Sequence, residues 1–182
     1  MRTITPLLTI FILALGTGLP ANAQNTCSDP VLPPQASMVV SEKFPGWRVK
    51  AVSDLEGYDR ELWLKEHPKE CPGIAVGHFE DPSQAAYALL LLPKSAVPGG
   101  YKLLVVAKAA GGDKYVVRVL DEEQGSDAGL VISKVPPGKQ TGFDTTQSVR
   151  LKLDGFEAEW LEKSSVLYYW RNGKYQTLET SD

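Results

Sequence analysis

The sequence is short of the residues that most enzyme chemistry draws on. It holds two histidines and two cysteines in 182 residues. With so few imidazoles, a general base is expected to be a carboxylate. Neither G-x-S-x-G, H-E-x-x-H, a P-loop nor G-x-G-x-x-G occurs, so no cofactor is implied. No block of basic residues exists, and the formal net charge is −3. Nucleic acid is therefore not an expected partner, because its binding rests on neutralising phosphates. An anionic membrane surface is not expected either, for the same reason.

Long apolar runs are also scarce. One lies at 7–15 (LLTIFILAL), after Arg2 and before Gly16, Gly18, Pro20 and Ala21-Asn22-Ala23. This order is that of a secretory signal peptide with an A-x-A cleavage site. A span would need ~20 apolar residues, and no small-residue lipoprotein box precedes Cys27. The expected organisation is a signal peptide over 1–23, a proline-rich lead over 24–34 and a single domain over 35–182. The expected location is secreted or periplasmic, with no membrane anchor after cleavage. In an oxidising compartment the pair Cys27 and Cys71 reads as a disulfide. It would staple the segment 27–35 (CSDPVLPPQ) to the body. Two free thiols are the alternative.

What the sequence does contain is patterning. Residues 35–44 (QASMVVSEKF) read as a helix stopped by Pro45-Gly46. Residues 47–52 (WRVKAV) alternate as a half-buried strand. Residues 59–67 (DRELWLKEH) form a second helix, capped by Asp59 and ended by Pro68. Strands are expected at 74–79, 86–92, 101–108, 114–120 and 130–135. The continuous apolar run 85–92 fits a central strand covered on both faces, with the two helices or folded-over loops as the outer cover.

Two hairpin signals follow. Asp154-Gly155 sits between alternating runs and predicts a two-residue turn. Counting outward opposes Leu153 to Phe156, Leu151 to Ala158 and Val149 to Trp160. On the solvent face it opposes Lys152 to Glu157 and Arg150 to Glu159. Asn172-Gly173 predicts a second turn, opposing Trp170 to Tyr175 and Leu167 to Leu178. The last third thus reads as a four-strand meander. No long crossover helices separate the strands, which argues against a parallel sheet. The fold class is α+β: a mostly antiparallel sheet of about seven to nine strands, two short N-terminal helices and a C-terminal β-meander.

The stretch 77–93 (GHFEDPSQAAYALLLLP) resembles one unit of the FG-GAP or VCBS-type repeats. Gly77, Phe79, Asp81, Tyr87, Ala88, Leu89 and Leu90 carry the resemblance, which covers 73–91 and occurs once. It implies a strand–turn–strand. The family's acidic and glycine positions are His78, Glu80, Pro82, Ser83, Gln84, Ala85 and Ala86 here. Calcium wants six to eight oxygen ligands, so no metal is expected. A degenerate calcium module is the alternative that the resemblance leaves.

Other constellations are weak on spacing. His67, Cys71 and His78 lack the tight ligand pairs of zinc sites. Cys71 precedes Pro72-Gly73 and a strand, whereas nucleophilic thiolates favour a helix start. Glu157 and Glu159 would suit a carboxylate pair, but the expected register gives both basic partners. The acidic stretch 121–127 (DEEQGSD) reads as a solvated turn. The aromatic cluster Trp160, Tyr168, Tyr169, Trp170 and Tyr175 serves a core or a binding surface equally well. Alternation sets Tyr168 and Trp170 on one face with Tyr175, and Arg171 and Lys174 rim the turn. These five residues are the expected contact patch. The functional expectation is a non-catalytic accessory or inhibitor module that binds a ligand, such as a sugar, or another envelope or secreted protein. The alternative from another class is a secreted hydrolase with a Cys71 or carboxylate site.

Overall fold

The computed structural model describes Cys27 and residues 32–95, 100–125, 128–144 and 146–182. The expected signal peptide and most of the proline-rich lead lie outside these described residues. The chain begins with helix α1 (Pro34–Lys43) and strand β1 (Trp47–Val49), then a 3-10 turn (Val52–Asp54) and helix α2 (Gly57–Glu66). Strands β2 (Ile74–Asp81), β3 (Gln84–Pro93), β4 (Tyr101–Lys108) and β5 (Tyr115–Glu123) follow. Then come β6 (Leu130–Val135), β7 (Gly138–Thr141), β8 (Ser148–Leu151), β9 (Gly155–Trp160), β10 (Ser164–Arg171) and β11 (Lys174–Ser181). The eleven strands among the described residues exceed the expected seven to nine. β7, with the sequence GKQT, carries no apolar alternation and follows two prolines, so it reads as loop.

Every strand pair is antiparallel. The first sheet joins β1 to β5, with β3 at its centre. One side of β3 pairs with β4; the other is shared by β2 and β1. The handover falls at Leu90, whose N–H donates to the Gly73 carbonyl while its own carbonyl accepts from Lys50 N–H, both at 2.9 Å. Only glycine fits at 73, because a Cβ there would stand 2.4 Å from the Lys50 carbonyl oxygen. The second sheet has the order β11-β10-β9-β6. Phe79, Leu90, Leu103, Val105, Ile132 and Phe156 fill the space between the two sheets. On the far face of the first sheet, Ala36 and Val40 of α1 and Phe44 just past its end cover Leu89, Leu91 and Leu104. The run 85–92 is thus a central strand buried on both faces. Of the two helices, α1 supplies its outer cover, with Leu32 beside it. α2 instead sets Trp63 against Leu55, Val131 and Leu161, on the outer face of the second sheet.

Several local expectations need correction. α1 starts at Pro34 rather than 35, since proline is tolerated in a helix's first turn. α2 starts at Gly57, and Asp59 lies inside its first turn rather than capping it. A carboxylate there still meets the positive end of the helix dipole. The strand expected at 47–52 stops at Val49. Lys50, expected on the solvent face, is wholly buried. Asp54 ends the strand by accepting from Ala51 N–H at 2.8 Å and gripping the Arg48 guanidinium at 2.6 and 2.7 Å. This curls the chain into the 3-10 turn.

The larger correction is at Asp154-Gly155, where no hairpin forms. β8 pairs with β7, and β9 pairs with β6 and β10. The two-residue turn needs positive φ at both positions, and neither Asp154 nor Gly155 has it. The Asp154 carboxylate instead accepts from His78 N–H at 2.8 Å, far away in sequence. Gly155 is required for close approach: a Cβ would lie 2.9 Å from the Tyr168 carbonyl oxygen. The apolar residues also divide between two cores. Phe156 and Ala158 enter the space between the sheets, while Leu151 and Val149 pack outside with Leu167 and Leu178. The meander is therefore the three strands β9-β10-β11, with β6 as the fourth member of the sheet. The Asn172-Gly173 turn forms as expected, with φ of 53° and 78°. Trp170 opposes Tyr175 and Leu167 opposes Leu178.

Candidate functional site

The five expected contact residues gather at the open margin of the sandwich, where β5 faces the β10–β11 hairpin. The strand sequence YVVRVLDEE puts Arg118 opposite Val105, on the face that looks into the sandwich. An arginine there cannot stay unpaired without a large solvation cost. Its Nη2 lies 3.2 Å from Glu80 Oε2, with the Glu80 side chain 11% exposed and that of Arg118 36%. The Tyr175 hydroxyl donates to the other Glu80 oxygen at 3.2 Å. Above them, the Arg118 guanidinium stands 5.3 Å from the centre of the Trp170 ring, a cation–π arrangement. Trp170 meets Tyr175 edge-on at 5.0 Å.

Burial dominates the electrostatics of this cluster. It pushes the Glu80 carboxyl above its usual range, although Arg118 and the Tyr175 hydroxyl pull the other way. The Tyr175 phenol is pushed up by burial first and then by Glu80. Arg118 Nη1 is buried and has no hydrogen-bond partner among the described residues.

The patch is not uniform. Tyr168 is core: it is 8% exposed, stacks on Phe156 at 5.2 Å, and burial raises its phenol to about 12. Trp170 and Tyr175 are half-buried, while Arg171 and Lys174 are exposed beside the turn. A groove of about 330 Å³ runs between Arg118, Val119, Trp170 and Tyr175. On the other side of Trp170 opens a cleft of about 750 Å³, between residues 148–154 and 169–172. Trp170 is the wall common to both. Arg118 was not singled out from the sequence, and Glu80 only as a position of the FG-GAP-like segment. The available signal was a lone arginine in the alternation Val116, Arg118, Leu120, where an apolar residue belongs.

The remaining candidates stay apart. His67 stacks on Trp63 at 4.2 Å and lies 3.2 Å from Glu70. His78 is half-exposed, 3.6 Å from Asp154. Cys71 is bonded to Cys27, so it is no thiolate nucleophile in this state. Among the described residues, no three His, Cys, Asp or Glu side chains group as a cation site. In the segment resembling an FG-GAP unit, Asp81 caps a tight turn by accepting from Ser83 N–H and Oγ at 2.7 and 2.6 Å.

Glu157 and Glu159 do not oppose Lys152 and Arg150, because the hairpin that would pair them is absent. They lie on the outer face of β9, opposite Ser133 and Val131 of β6. Glu157 accepts from Thr180 Oγ1, which shares a 2.7 Å bond with the buried Ser165. Glu159 is pushed up by burial first, then by Glu157 and Glu66. A carboxyl with a raised folded pKa binds its proton more tightly in the folded than in the unfolded chain. Its contribution to stability is complete below the unfolded value and is lost as pH rises through the folded one. Glu159→Gln is therefore expected to raise stability at pH 7.5 and to leave it unchanged near pH 3.5. Urea denaturation at the two pH values measures this.

Compared with family models, with curated proteins and with solved structures, the chain finds no match.

Proposed function

We propose that the chain is a non-catalytic contact module, secreted or periplasmic, that binds another envelope or secreted protein as an accessory or inhibitor. The observation that carries this reading is Trp170, half-exposed and flanked by Arg118 and Tyr175, forming a wall of two adjoining concavities. Aromatic residues with a polar rim are the usual anchors of protein interfaces. The unmet donor of Arg118 costs stability. Valine fills the two β5 positions before Arg118, and valine and leucine the two after it, so a core-only role would favour an apolar residue at 118. The Cys27–Cys71 bond supports an oxidising compartment, in keeping with the signal-like pattern of residues 1–23.

Capture of partners from the envelope or secreted fraction, by immobilised wild type and by Trp170→Ala, tests the reading. The variant is expected to lose affinity by about 30-fold or more, as at an interface anchor. Unaltered capture by a folded Trp170→Ala rejects it.

A further inference from the structure

The larger cleft beside Trp170 is cationic in a chain that is acidic overall. Arg150, Lys152 and Arg171 line it. Among the described residues, none of the three, nor Lys174 at the rim, joins an ion pair. Asp154 is the one acid in the lining. It is engaged elsewhere, on the backbone and ring of His78 at 2.8 and 3.6 Å. Cations also oppose each other across strands: Arg171 faces Lys174, and Arg150 faces Lys139 of β7. Like charges in direct cross-strand opposition are destabilising, so stability does not account for them.

The backbone adds a second observation. Among the described residues β8 pairs only with β7, which leaves its other edge open. Residues 148–154 line the cleft without interruption, which places that edge along it. Among the described residues, no backbone hydrogen bond outside the β7 ladder reaches 148–154. An open edge is a template for an added strand. Arg150 lies within β8 and Lys152 one residue beyond its end, so the cationic lining continues past the strand.

We infer that this cleft binds an extended acidic segment of a partner protein. The segment adds a strand to the free edge of β8 and sets its carboxylates against Arg150, Lys152 and Arg171, with Tyr169 and Trp170 as the apolar wall. The inference rests on the reading of the chain as a protein-contact module and names the chemistry of what it contacts. Basic side chains on an edge also discourage unwanted strand pairing; in that role they would bind no peptide.

Fluorescein-labelled hexaglutamate, followed by anisotropy at low salt, is the probe. The wild type is expected to bind it saturably and to ignore hexaglutamine. The triple variant Arg150→Gln, Lys152→Gln, Arg171→Gln is expected to bind about tenfold or more weakly, the loss of three exposed ion pairs. Its melting temperature should stay level or rise, because like-charge opposition is removed. Hexaglutamate N-methylated at alternate amides should bind more weakly than the parent. No saturable binding, equal binding by the triple variant, or indifference to N-methylation overturns the inference. Tighter binding of oligogalacturonate, a carboxylated sugar, overturns the commitment to a peptide. If hexaglutamate fails while Trp170→Ala still loses the captured partner, the contact module stands and its acidic ligand falls. If hexaglutamate binds but Trp170→Ala captures normally, the cleft stands and the Trp170–Tyr175 contact falls.

Discussion

Replacing both cysteines, Cys27→Ala with Cys71→Ala, is expected to lower the free energy of unfolding by about 4 kcal/mol, the chain-entropy value for a loop of this length. The bridge spans a sequence separation of 44, a long loop to release into the unfolded ensemble. Its location adds a native-state contribution. Cys71 is buried and stands two residues before Gly73, where β2 gives way to β1 along β3. The sulfurs of Cys27 and Cys71 lie 3.8 and 3.4 Å from the Lys50 carbonyl oxygen, on the β1 side of that handover. The bond therefore ties the chain before α1 to the junction of three strands. Urea denaturation of wild type and double variant measures the difference, and the urea dependence should steepen as the unfolded state expands. Thiol titration of the denatured wild type should find no free thiol. A loss under about 1 kcal/mol would mean that strand pairing alone fixes the junction, and that the loop-entropy estimate fails here.

The sequence showed the C-terminal half unevenly, for reasons that lie in particular residues. Asn172-Gly173 is legible because its signal is local: both residues adopt positive φ, and the register follows from the turn. Asp154-Gly155 carries the same kind of dipeptide, and the charges of 150, 152, 157 and 159 agree with the same register. Yet Gly155 serves close packing against Tyr168, and Asp154 serves His78. Both partners are distant in sequence, so no local count could find them. The central strand 85–92 was legible from its unbroken apolar run. That α1 rather than α2 covers it was not, because both helices offer similar apolar residues and the choice is made by where their connections lead. The candidate site was half legible. Trp170, Tyr175, Arg171 and Lys174 came from one hairpin. Arg118 and Glu80 lie on β5 and β2, and only the stacking of two sheets brings them to it.

Trp63→Ala is expected to lower stability by about 3–5 kcal/mol, the range for a large aromatic removed from a core, while Trp170→Ala costs less than half of that. The two tryptophans differ in what surrounds them. Trp63 is 1% exposed, packs among Leu55, Val131 and Leu161, stacks on His67 and donates from Nε1 to the Glu70 carbonyl at 3.3 Å. α2 has ten residues, too few to persist without tertiary contacts, and Trp63 is its only buried residue. Its truncation leaves a cavity, removes the hydrogen bond to the Glu70 carbonyl and undocks the helix, so far-ultraviolet circular dichroism should lose helical signal before global unfolding. Trp170 is half-buried, and its ring contacts are one edge-on tyrosine and one guanidinium. Its loss opens to solvent rather than forming an enclosed void, so the transfer term is partial and the cavity term small. Arg118 keeps Glu80 after the change, so no buried charge is stranded. Paired denaturation curves decide the matter. Should Trp170→Ala cost as much as Trp63→Ala, the margin of the sandwich is core, and the contact proposed there loses its physical basis.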